Sequence, residues 1–141
     1  MRRYLIVAHR TLGGADLLDR LRGHVEAGPC RFHLLVPVTH PADHVWTEGE
    51  VRAAAQQRLD AGLDSLRKLG LDATGEIGDV NPVYAVGVLL RRGERFDGLI
   101  VSTLPPGMSR WLKLDVPTRL ARETDLEVEV VVSRVQSPVI A

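Results

Sequence analysis

The sequence predicts an α/β domain: an open parallel sheet of about five strands with helices on both faces. Three observations carry that expectation. Apolar, β-rich runs alternate along the chain with segments of helical period, and right-handed crossovers between parallel strands accommodate such an alternation. Two runs, Phe32 to Val38 and Gly98 to Ser102, are almost continuously apolar, as strands covered on both faces are. No Ser- or Gly-rich linker, low-complexity stretch or internal repeat divides the 141 residues, so residues 1–141 read as one domain.

The first strand is expected at Tyr4 to Ala8. Leu17, Leu18, Leu21 and Val25 then share a helical face that ends near Gly28-Pro29. Phe32 to Val38 is the second strand. Thr47 and Glu50 have capping-box spacing, each side chain positioned to satisfy the other's free backbone donor. Val51, Ala55, Leu59, Leu63 and Leu66 continue as a long stripe closed by Gly70. A weaker strand follows at Asp72 to Ile77. Asn81 before Pro82 starts a helix that buries Val83, Val86, Leu89 and Leu90 and stops at Gly93. The fourth strand is Gly98 to Ser102, the last helix opens at Asp115 or Val116 and carries Leu120, and the fifth strand is Glu127 to Ser133. Arg134 to Ala141 carries no assignment. Periodicity does not give the order of the strands in the sheet.

Hydrophobic residues make up 45% of the chain and charged ones 26%, the composition of an ordinary globular protein. Lys plus Arg and Asp plus Glu each total 18. A chain without excess positive charge lacks the usual basis for non-specific binding to nucleic acid or a membrane surface. No apolar run approaches the ~20 residues of a membrane span, and Tyr4 to Ala8 is too short for a signal-peptide core. The single cysteine, Cys30, excludes an internal disulfide framework and suits a reducing, cytoplasmic compartment. It reads as a small buried hydrophobe.

Several features in order resemble the universal stress protein family, across nearly the whole chain. They are the strand Tyr4 to Ala8, the strand end Leu35-Val36-Pro37-Val38, the turn Gly78-Asp79-Val80-Asn81-Pro82 and the strand entry Phe96-Asp97-Gly98-Leu99-Ile100-Val101. The resemblance implies a sheet order of 3-2-1-4-5 and homodimers, commonly formed through the last strand; Val36, near the end of the second strand, is a further candidate ligand-binding residue. Members that bind ATP look like G-x-x-G-(nine residues)-G-[S/T] after the fourth strand, where glycine lets backbone amides approach phosphates. This chain has Ser102, Pro105, Asp115 and Val116 at those positions. Proline has no N–H to donate, and Asp115 sets a negative charge where a triphosphate would lie. Gly107 is out of phase with the motif, and His9 stands where ATP-binding relatives carry an acidic residue. The fold inference survives these departures, whereas ATP as a cofactor is weakened by them.

Functional residues in open α/β sheets gather beyond the carboxyl ends of the strands, where the strand order reverses. His9, Arg10, Thr11, Gly13 and Gly14 follow the first strand. They suit a phosphate or carboxylate held by side chains, amides and a helix N-terminus, or they form a plain strand-to-helix turn. Ser102, Thr103, Gly107, Ser109 and Arg110 follow the fourth strand and could surround a small anion; equally, the hydroxyls could satisfy the loop backbone. Trp111 is expected to anchor that loop on the core or at a dimer contact. Asp79 belongs to the turn before Asn81. His40 and His44 have the i, i+4 spacing of metal ligands, but Pro41 between them breaks the helix that this spacing needs, so no metal site is expected. His24 and His33 show no partner in the sequence.

No nucleophile, base and orienting group can be assembled, and the Gly-x-Ser-x-Gly and P-loop patterns are absent. The expectation is therefore a non-catalytic, dimeric regulatory or stress-related binding module with a degenerate nucleotide site. The alternative keeps ATP or another phosphorylated small molecule in a rearranged loop, with Arg10 and Arg110 replacing glycine amides. An enzyme of the adenine-nucleotide α-hydrolase-like group is a third class, and an unknown protein partner a further possibility. The alternating fifth strand supports a homodimer through Val128, Val130 and Val132.

Overall fold

In a computed structural model, residues 1–8, 11–12, 14–40, 45–105 and 107–133 are described. Five strands, β1 (Arg2–Val7), β2 (Cys30–Pro37), β3 (Ala73–Gly78), β4 (Gly98–Thr103) and β5 (Val128–Val132), form one sheet in the order β3-β2-β1-β4-β5. Every pairing is parallel, with Leu5 opposite His33 on one side and Leu99 on the other. The order reverses between β1 and β4, so the connections that leave these two strands diverge and leave a crevice between them.

Helices α1 (Ala15–Ala27) and α2 (Glu48–Lys68) cover one face, against Ile6, Leu34, Val36, Ile100 and Val131. Helices α3 (Pro82–Arg91), α4 (Arg110–Lys113) and α5 (Val116–Thr124) cover the other, against Leu5, Val7, Leu35, Leu99 and Val101. Alternate residues of β1 and β4 thus enter opposite cores, which is why both strands read as continuous apolar runs. Complete burial of a Leu or Ile side chain contributes about 1.5–3 kcal/mol, and Leu5, Ile6, Leu34, Leu99 and Ile100 are all at or below 1% exposure.

The helix starts follow local chemistry. Thr47 Oγ1 accepts from Glu50 N–H at 3.1 Å while the Glu50 carboxylate accepts from Thr47 N–H at 3.0 Å. Asn81 Oδ1 accepts from Val83 and Tyr84 N–H, Pro82 occupies the first turn, and Asp79 accepts from Asn81 N–H. Gly70 sits at φ 78° directly after α2, a conformation that strains residues with a Cβ.

Four expectations need correction. Strands β1 and β2 begin two residues earlier than expected, because polar Arg2, Arg3 and Arg31 take part in the ladder. Val25 is 40% exposed: successive steps of four residues advance by about 40° each around a helix of 3.6 residues per turn, so a stripe that begins at Leu17 has rotated out of the core by Val25. The connection from β4 to α5 contains the short helix α4. His24 and His33 both have partners, described below.

Candidate functional site

The crevice opens at the carboxyl ends of β1 and β4. Its floor is the pair Thr11 and Ser102, whose hydroxyls lie 2.5 Å apart and whose residues are 6% and 2% exposed. Leu104, Met108 and Trp111 form apolar walls, and Thr103, Ser109 and Arg110 complete the lining. The accessible space in this partly open crevice is about 70 Å³.

The loop after β4 is built to hold this shape. Met108 and Ser109 N–H both donate to the Pro105 carbonyl at 3.0 Å, and Gly107 lies in this turn at φ 89°. Gly107 therefore answers a backbone requirement of the turn and does not line the crevice. Ser109 caps α4, its oxygen accepting from Leu112 N–H at 3.2 Å. Trp111 is 7% exposed and packs into the core shared with α3 and α5, as the sequence led one to expect. Thr103 donates to the Leu104 carbonyl at 2.9 Å.

Thr11, Ser102, Thr103, Ser109 and Arg110 are thus brought together, from two connections about ninety residues apart. Gly14 stands at the N-cap of α1 without a side-chain cap bond, facing the Ser133 hydroxyl, whose oxygen is buried without a partner among the described residues. Val36 does not join the crevice; its side chain is fully buried beneath α1 and α2. His9, Arg10, Gly13 and His44 lie outside the described residues. His40 is exposed, and no cluster of three potential metal ligands occurs among the described residues. Cys30 is 8% exposed, and burial pushes its thiol pKa up. The sequence offered no signal for Leu104 and Met108, which act here as plain apolar walls.

The motif positions Asp115 and Val116 are a left-handed N-cap at φ 56° and a core side chain at 1% exposure. Neither presents a hydroxyl or a free approach to a phosphate.

A second polar cluster lies toward the amino ends of the strands, on the opposite side of the sheet from α1. His33 Nδ1 is 2.7 Å from Thr74 Oγ1 and its Nε2 is 2.9 Å from Glu76 Oε2. Arg92 grips Glu76 with two bonds, at 3.0 and 2.7 Å, and also approaches Glu94, which Arg3 holds at 2.8 Å. The Arg92 guanidinium, then His33, keep the Glu76 carboxyl below its ordinary pKa against the opposing effect of burial. The Arg3 guanidinium does the same for Glu94. On the α1 face, burial pushes Glu129 up, but hydrogen bonds from His24, at 2.7 Å, and Arg20 outweigh it and leave its pKa lowered.

The sheet order and the crevice at its reversal define a small doubly wound α/β protein. No family model and no curated protein sequence matches the chain. Fifteen chains of solved structures do. A universal stress protein in complex with cAMP matches with a TM-score of 0.59 and 15% identity over 92% of this chain and 96% of the other. A universal stress protein family member from Burkholderia pseudomallei matches at 0.59 and 11% over 92% and 95%, and one from Archaeoglobus fulgidus at 0.58 and 9% over 93% of both. The fold of this chain is the universal stress protein fold.

Proposed function

We propose that the protein is a non-catalytic, stress-related regulatory module that works as a homodimer in the cytoplasm and reads a small ligand in the crevice between the β1–α1 and β4–α4 connections. The observation that carries this reading is the crevice itself, at the switch point where ligands of open α/β sheets gather. Its hydroxyls are bonded to one another or to backbone, and none is bonded to a histidine or carboxylate among the described residues. No base lies in reach of these hydroxyls among the described residues, and a nucleophile without one is not activated, which supports binding over catalysis.

The homodimer is supported by β5, an edge strand whose Val132 is 41% exposed and whose Val128 and Val130 are half-buried. An edge strand presents unpaired backbone groups to a second copy. Light scattering at micromolar concentration tests it: a dimer is expected, converted to a monomer by Val132→Lys, and a wild-type monomer contradicts it.

Ligand reading is tested by thermal unfolding with Mg-ATP, AMP, cAMP and inorganic phosphate. A ligand at a hundredfold over its Kd adds about 2.7 kcal/mol, a rise of several degrees at about 2–4 °C per kcal/mol. No shift with any of them contradicts the crevice reading and favours a module that acts through a protein partner. A second reading, a nucleotide in a rearranged loop, is favoured by the fold neighbour crystallised with cAMP. It requires the shift with a nucleotide and none with phosphate.

A further inference from the structure

We propose that the crevice takes a compact tetrahedral oxyanion such as inorganic phosphate and excludes nucleotides. The inference rests on the crevice being the ligand site and specifies the ligand's chemistry.

A count of donors carries it. Thr11 and Ser102 share one hydrogen bond. In a pair of hydroxyls one proton lies between the two oxygens and the other must find an acceptor elsewhere. That second proton has none among the described residues. Ser109 accepts from Leu112 N–H, and its own proton likewise has no acceptor there. All three residues are buried, at 6%, 2% and 4% exposure, where an unspent donor is costly. Thr103 differs, because its proton is already spent on the Leu104 carbonyl.

Charge points the same way. Arg110 borders the crevice and forms no ion pair among the described residues, and none of the described lining residues is acidic. Two unspent hydroxyl protons and a guanidinium complement a small group of anionic acceptor oxygens, since hydrogen bonds to ionised acceptors are the strong ones. Size then selects within that class. A space of about 70 Å³ is small beside pockets for larger ligands, which run to ~300 Å³ and more. That size favours a compact tetrahedral oxyanion over a nucleoside.

Calorimetric titration of the full chain in phosphate-free buffer tests this, with sodium phosphate, sodium sulfate, Mg-ATP and AMP as separate ligands. Saturable phosphate binding at one per chain is expected, with sulfate within about tenfold, since the site offers donors to either ion. Arg110→Gln, an exposed position, should weaken binding at least tenfold, and Thr11→Val with Ser102→Ala should abolish it while the thermal midpoint confirms folding. Nucleotide binding with phosphate silent overturns the oxyanion inference and leaves the crevice as the ligand site. Silence from every ligand overturns both. Phosphate binding indifferent to these substitutions places the ion elsewhere and also overturns the inference.

Discussion

The two ends of the sheet use polar residues in opposite ways. Toward the amino ends, Arg3, Glu94, Arg92, Glu76 and His33 form a continuous chain of ion pairs and hydrogen bonds. At the carboxyl ends of β1 and β4, hydroxyls and Arg110 surround a space and keep donor capacity in reserve. A saturated network holds structure together and has little left for a ligand; an unsaturated one invites it. Charge content alone would point to the amino-end cluster, which holds several of the ion pairs among the described residues.

The comparison can be broken most forcefully at Trp111. Its replacement by Ala removes a buried aromatic that ties the crevice loop to the core, at a cost of about 3–5 kcal/mol. Urea unfolding should show that loss together with lost phosphate binding; near-wild-type stability would mean that the loop is held by something else.

At the amino end, Glu76→Gln leaves His33 without its carboxylate and Arg92 with Glu94 alone, and urea unfolding should report a loss of about 1 kcal/mol. Ligand affinity should stay within twofold, and a larger change would show that the two ends are coupled.

Acid sharpens the contrast further. Glu76, Glu94 and Glu129 have folded pKa values below the ordinary carboxylate value of about 4.3. Their contribution is complete above that value and is lost as pH falls through the lower folded values, because the unfolded chain takes up protons first. The urea midpoint should therefore hold between pH 7 and about 5 and decline below about 4.5, less steeply in Glu76→Gln. A flat profile down to pH 3 would contradict the pairing. The smallest effect is expected at Arg110→Gln, with stability within about 0.5 kcal/mol of wild type in the same measurement.

How much of this was legible beforehand depended on whether the signal was local. Thr47 with Glu50 and Asn81 with Pro82 announce helix starts because the partners are at most three residues apart. Continuous apolar runs reveal strands covered on both faces. The loop residues Thr11, Ser102, Ser109 and Arg110 could be singled out because strand ends are visible and ligands collect there. The partners of His33 and His24 could not, since Thr74, Glu76 and Glu129 come from other strands. Once β3 is known to lie beside β2, the alternation of Thr74 and Glu76 opposite His33 and Leu35 becomes readable. The burial of Val116 and the turn role of Gly107 likewise depend on tertiary packing and backbone conformation.

The most direct test of this division is an amide NMR titration of the labelled protein with inorganic phosphate. The account predicts shift changes concentrated at Thr11 and at residues 102–111, with His33, Thr74, Glu76 and residues 92–96 unmoved. Changes centred on the Arg3, Arg92 and Glu94 cluster, with the crevice silent, would contradict it.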